Sequence, residues 1–153
     1  MDKINIFCFG FGQVAKNLIK KIKTKNININ LTTTSRESTA KKVFDGIKYE
    51  SFQFSKDSFD KRLTKNLETS DYVLVSIAPI DGEDIVIKNF RNILSKNRVK
   101  WLTYLSATSV YGDHNGKWVD EKSTTQPTSP NGKQRLKAEK SWMELAENQN
   151  LPI

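Results

Sequence analysis

The stretch Lys3-Ile4-Asn5-Ile6-Phe7-Cys8-Phe9-Gly10-Phe11-Gly12-Gln13-Val14-Ala15 constrains this chain more than any other, because an apolar run passes through two glycines into a helical pattern. From Ile4 to Phe9 the run is interrupted only by Asn5, as suits a parallel strand covered on both faces. Gly10 can take backbone angles that a Cβ resists, so the chain can turn sharply off the strand end. Gly12 would let an anion approach the backbone, and the following helix offers free N–H groups and the positive end of its dipole. Val14, Leu18 and Ile22 recur at four-residue spacing with Ile19 beside them, while Lys16, Lys20, Lys21, Lys23 and Lys25 fill the outer face.

The spacing G-x-G-x-x-A is that of a dinucleotide fingerprint, with Ala15 where a small residue lets helix and strand pack closely. Gly10, Phe11, Gly12, Gln13 and Val14 are therefore the expected pyrophosphate cradle. A strand-turn-helix without a ligand is the alternative that the glycine spacing alone leaves open.

With 153 residues the chain is expected to form one domain with one substantial core. Cys8 is its only cysteine, so no intrachain disulfide is possible, and its place in the first strand predicts a small buried apolar residue. His114 is the only histidine, and one Cys and one His far apart predict no metal site. His114 itself falls in a turn-forming cluster, Asp113 to Lys117, and is expected to be solvated. No segment approaches the roughly 20 apolar residues that span a bilayer, and the first residues lack a signal-peptide pattern, so a cytoplasmic location is expected. The formal net charge is +8, but the lysines are spread over nearly every segment without a basic run interleaved with aromatics. That distribution predicts a solvated surface rather than a specific nucleic-acid partner.

Residues 27–34 alternate and then become Thr-rich, as expected of a second strand. A unit that binds NAD carries Asp or Glu about 20 residues beyond the glycines for the adenosine ribose. This chain has Thr34-Ser35-Arg36 there, and hydroxyls with a guanidinium suit a 2′-phosphate that a carboxylate would repel. NADP is thus expected over NAD, with Arg36 as the start of a solvated helix the competing reading and Glu37 beside it a point against. Residues 38–44 are read as a short helix, 47–54 as a third strand, 59–67 as a helix and 72–79 as a fourth strand ending at Ala78-Pro79. A helix over 84–94 and a fifth strand over 101–106, ending at Ser106, complete an alternation that predicts an α/β fold, a doubly wound parallel sheet with helices on both faces. The carboxyl ends of these strands place Ala78, Pro79 and Ser106 toward the same ligand.

After the fifth strand the chain reads Leu105-Ser106-Ala107-Thr108-Ser109-Val110-Tyr111-Gly112-Asp113, then Trp118-Val119-Asp120-Glu121, Pro127-Thr128-Ser129-Pro130 and Arg135-Leu136-Lys137-Ala138-Glu139. With the glycine loop, these segments resemble the extended short-chain dehydrogenase/reductase superfamily, the NAD(P)-dependent epimerase/dehydratase group, over nearly the whole chain. The resemblance implies a Rossmann-like domain that binds a dinucleotide and acts on a small-molecule substrate. It also implies a catalytic Ser or Thr, which falls on Ala107, and a Tyr-x-x-x-Lys pair, which falls on Asn131 and Arg135. None of the three matches: Ala107 has no hydroxyl, Asn131 has no usefully titrating proton, and Arg135 stays charged. Thr108 and Ser106 are the substitute hydroxyls, and Thr108, Asn131 and Arg135 are the candidate catalytic set. Members of the group continue into a smaller substrate-binding part, whereas Leu151-Pro152-Ile153 stands where a sixth strand would begin. The expectation is a single dinucleotide-binding domain over residues 1–153 without that part. A non-catalytic dinucleotide-binding or redox-sensing module is the alternative to an enzyme.

Overall fold

The computed structural model describes residues 3–96 and 99–153. Its elements run β1 (Ile4–Phe9), α1 (Gln13–Lys23), β2 (Ile29–Ser35), β3 (Ala40–Phe44), β4 (Ile47–Gln53), α2 (Leu63–Glu68), β5 (Tyr72–Val75), α3 (Ile85–Lys96), β6 (Trp101–Tyr104) and α4 (Pro130–Gln149). The six strands form one sheet in the order β3-β4-β2-β1-β5-β6. β1 pairs in parallel with β2 and β5, β2 with β4, and β5 with β6. After β2 and β4 have been laid on one side of β1, the chain crosses to β5 on the other, which makes the doubly wound α/β arrangement.

Two sequence expectations are corrected here. Residues 38–44 are not a helix: Ala40–Phe44 is β3, and it pairs antiparallel with β4, so the sheet is not wholly parallel. The cause lies in the next two residues, Asp45 and Gly46, whose φ angles of 50° and 80° are both left-handed. Two such residues make the tight turn that matches the twist of a hairpin. Lys41, Lys42 and the exposed Val43 then occupy an edge strand, where lysines discourage further pairing.

The second correction concerns which side of α1 is buried. Ala15 and Ile19 are buried and Ile22 is partly so, whereas Val14 and Leu18 are 55% and 40% exposed. Small Ala15 allows the helix to rest directly on the sheet, which turns Val14 and Leu18 aside.

The core lies on both faces of the sheet. On one, Phe7, Phe9, Val73, Val75 and Leu102 meet Leu63 and Leu67 of α2, Phe90 of α3 and Trp142 of α4. Phe9 stands with its ring centroid 4.7 Å from that of Phe7 and 5.5 Å from those of Phe54 and Phe90. On the other face Ile6, Cys8, Leu31 and Leu74 pack under α1. Cys8 is fully buried, and burial pushes its thiol up to about 12. Helices therefore cover both faces, three against one. No helix among the described residues is long and apolar enough to cross a membrane.

α4 starts on Ser129, whose Oγ accepts from Gly132 N at 3.0 Å, with Pro130 at the first position, and it ends on left-handed Asn150. The chain then returns to the sheet, where Leu102 N donates to Pro152 O at 2.7 Å and Leu151 is buried. α3 is joined to α4 by one carboxylate. Asp84 Oδ1 accepts from Val86 N at 2.9 Å and Ile87 N at 3.0 Å, and its Oδ2 accepts from the indole N–H of buried Trp142 at 2.8 Å. Asp84→Ala removes the cap and strands the indole donor, so it should cost about 2–3 kcal/mol in chemical denaturation. Trp142→Phe should cost less than Asp84→Ala, because it removes the buried donor together with its bond.

Candidate functional site

The carboxyl end of β1 is fixed by contacts from both neighbouring strands. Gly10 has φ +85°, and a Cβ there would stand 2.8 Å from Ile77 Cγ2 and 2.9 Å from Ser76 Oγ. Gly10 N donates to Thr34 Oγ1 at the end of β2 at 2.9 Å, while Ser76 Oγ beyond β5 donates to Phe9 O at 3.0 Å. Gly12 differs: it is exposed, it precedes α1 with φ −83°, and a Cβ built on it would meet nothing within 4 Å. No side chain caps this helix, and its first turn carries no acidic residue. An open, positively polarised helix start thus faces the space beside Gly12.

That helix start adjoins a cleft of 910 Å³ at the carboxyl edge of the sheet, at the switch point where β2 and β5 lie on opposite sides of β1. Of the residues expected at the cofactor site, Gly10, Phe11, Thr34, Ser35, Arg36 and Ala78 line this cleft. Gly12, Gln13, Val14, Pro79 and Ser106 lie outside its lining, and Val14 is turned to solvent. Ser35 Oγ is shielded and has no hydrogen-bond partner among the described residues, a buried hydroxyl on the cleft wall. Arg36 is exposed and its guanidinium has no ion pair among the described residues.

The cleft also collects side chains that sequence reasoning did not select, among them Lys16, Lys42, Tyr49, Ser51 and Lys56. Lys42 Nζ is 2.6 Å from Glu37 Oε2. Its hydrogen bond and charge hold the Glu37 carboxyl below its ordinary range, and the same hydrogen bond raises Lys42. Lys56 is paired with Asp81. Burial raises the Tyr49 phenol.

The candidate catalytic residues stand apart from this cleft. Thr108 opens a short 3-10 turn, Thr108–Val110, and is exposed. Asn131 is exposed in the first turn of α4. That helix start packs on the 3-10 turn so closely that a Cβ on Gly132 would collide with Ser109 O. Arg135 is not a free guanidinium: its Nη1 donates to Leu105 O at 2.7 Å and to Tyr104 OH at 3.3 Å, and it lies 5.9 Å from the Tyr104 ring centroid. His114 is half-buried rather than solvated, with Nε2 at 3.1 Å from Tyr111 O and 3.0 Å from Thr124 O. It bridges the two sides of its loop. No group of three or more potential metal ligands occurs among the described residues.

No family profile and no curated protein matches the chain. Solved structures do match its fold. UDP-glucuronic acid 4-epimerase from Bacillus cereus in complex with NAD superposes with a TM-score of 0.76 at 18% identity, over 97% of this chain and 53% of that one. UDP-N-acetylglucosamine 4-epimerase from Methanobrevibacter ruminantium M1, in complex with UDP-N-acetylmuramic acid, gives 0.75 at 19% identity, over 99% and 53%. A conserved protein of unknown function from Silicibacter pomeroyi DSS gives 0.70 at 27% identity, over 92% and 48%. The chain spans about half the length of these structures, and the likeness to the two epimerases is one of fold.

The two glycines of the turn should separate in a stability test. Gly10→Ala should lose about 1–3 kcal/mol, because it combines a positive φ with a collision, whereas Gly12→Ala should lose about 1 kcal/mol or less. Thermal unfolding of the two variants compares them directly.

Proposed function

We propose that this chain is a dinucleotide-binding domain of the epimerase/dehydratase oxidoreductase type, binding NADP in preference to NAD. The observation that carries the reading is the cleft at the switch point of the sheet, with the Gly10 turn in its wall and the uncapped start of α1 beside it. The residues present fit the cofactor. Gly12 presents space that the fold itself does not need, and Ser35 Oγ is a buried hydroxyl without a partner among the described residues. The epimerase neighbour solved with NAD supports a nicotinamide dinucleotide.

In this reading the backbone N–H groups at Gly12, Gln13 and Val14 take the pyrophosphate, and Ser35 and Arg36 take the adenosine ribose with its 2′-phosphate. Ala78, Pro79 and Ser106, beyond β5 and β6, belong to the carboxyl side of the sheet that would take the remainder. The bound cofactor would supply hydride transfer. The geometry of Arg135, already bonded to Leu105 O, favours a second reading in which the domain binds the dinucleotide without performing chemistry.

Calorimetry at low salt should give tighter binding of NADP than of NAD, and a folded protein that binds neither overturns the proposal. Arg36→Asp should weaken NADP about tenfold while changing NAD little. Equal losses would take Arg36 out of the 2′-phosphate site. Gly12→Val should abolish binding of both while keeping most of the fold, and unchanged affinity would move the phosphates elsewhere. Hydride transfer to any sugar-nucleotide or carbonyl substrate, lost on changing a cleft residue, would rule out the non-catalytic reading.

A further inference from the structure

On the α1 side of the sheet the cleft is lined by side chains beyond the Thr34-Ser35-Arg36 segment. Side chains alternate along strands, so register assigns each residue to a face. Thr33 pairs with buried Cys8 under α1, and Ser51 pairs with Thr33, which puts both hydroxyls on that face. Ser35 follows Thr33 by two residues and shares it. Lys42 of β3 stands opposite Tyr49, which packs with the α1-side core, so Lys42 rises from the same face. Lys16 reaches over from α1, its Nζ 5.9 Å from the ring centroid of Phe44, two residues beyond Lys42. Lys16, Lys42, Ser51 and Ser35 therefore line the cleft from this one face, and Ser35 Oγ is buried with no partner among the described residues.

We infer that this side of the cleft completes the subsite for the 2′-phosphate of NADP, with Lys42 as a second selectivity cation beside Arg36 and Glu37 as the internal anion that the phosphate displaces from Lys42. This inference rests on the dinucleotide reading above. A phosphomonoester carries close to two negative charges and three strong acceptors, whereas the 2′-hydroxyl of NAD carries no charge. Lys42 and Glu37 have side chains 35% and 75% exposed, and a pair so open to water is a weak competitor. With NAD bound, Lys42 keeps Glu37. With NADP bound, Lys42 turns to the phosphate and Ser35 Oγ gains a partner. Glu37 is the carboxylate nearest in sequence to the residues that would hold the ribose, and its side chain, already 75% exposed, is left to solvent when Lys42 turns to the phosphate.

The test uses calorimetry with NADP, NAD, adenosine 2′,5′-bisphosphate and ADP on wild type, Lys42→Met, Lys42→Arg and Glu37→Gln. Lys42→Met should weaken NADP and the 2′,5′-bisphosphate about tenfold and leave NAD and ADP unchanged. Lys42→Arg should keep the preference. Glu37→Gln should tighten NADP about threefold, because it frees the ammonium, without changing NAD. Lys42 lies on an edge strand, so unfolding midpoints should stay near wild type. An unchanged NADP-to-NAD ratio in Lys42→Met, or no gain in Glu37→Gln, overturns the subsite while the dinucleotide reading stands. Wild-type protein that binds neither dinucleotide overturns that reading and the subsite with it.

Discussion

The arrangement at the mouth of the cleft depends on the turn at Gly10, where β1 must leave the sheet without striking β5. A residue with a Cβ there would press on Ile77 and Ser76 while holding an unfavourable φ. Two side-chain hydroxyls make the turn definite: Thr34 accepts from the Gly10 amide, and Ser76 donates to the Phe9 carbonyl. Because these come from the strands on either side of β1, the turn records the positions of three strand ends at once. The start of α1 is aimed by that turn, so the uncapped N–H groups inherit their placement from the packing of β2 and β5.

The charge of the cleft is local and does not follow from the net charge of the chain. Lysines occur over most of the surface, yet those at the cleft are differentiated by their partners. Lys56 is paired with Asp81, Lys42 with Glu37, and Lys16 lies over the Phe44 ring, while Arg36 has no ion pair among the described residues. Paired cations at an exposed site can exchange a carboxylate for a stronger anion at small cost. A cleft of this kind can hold its cations without a ligand and still present them to one.

What could be read from the sequence was local. The β1 run, the glycine turn and, outside residues 38–44, the alternation of strands and helices rest on neighbouring residues, and the structure follows them. The hairpin was also written locally, in Asp45-Gly46, but the charged edge strand before it lacks the apolar alternation that marks a strand. For α1 two local signals differ: the fingerprint seats the helix through small Ala15, which the structure follows, whereas the four-residue spacing of Val14, Leu18 and Ile22 weighs only large apolar residues and points to a neighbouring face. The grouping of Lys42 with Ser35 and Ser51 on one face is not legible locally, because it requires the Lys42-Tyr49 register and the Thr33-Ser51 register together. The same holds for Arg135, whose acceptor Leu105 lies 30 residues away.

Arg135 also bears on what the tip of the sheet beyond β6 can do. Leu105 lies just past the end of β6, and the guanidinium bonds its carbonyl oxygen. The contact continues inward: Arg135 lies over Tyr104, Tyr104 stacks on Trp142 with centroids 5.8 Å apart, and Trp142 donates to Asp84 at the start of α3. One line of side chains thus binds α4, β6 and α3. The guanidinium commits its donors to a carbonyl and a phenol, so Arg135 serves here as a structural tie. Burial also raises the Tyr104 phenol, which keeps it neutral beside that charge. The exposed polar side chains at this tip include the hydroxyls of Ser106 and Thr108 and the amide of Asn131. Groups of this kind orient a ligand by hydrogen bonding; none of them titrates near neutrality, so any proton exchanged there must come from the ligand or from water.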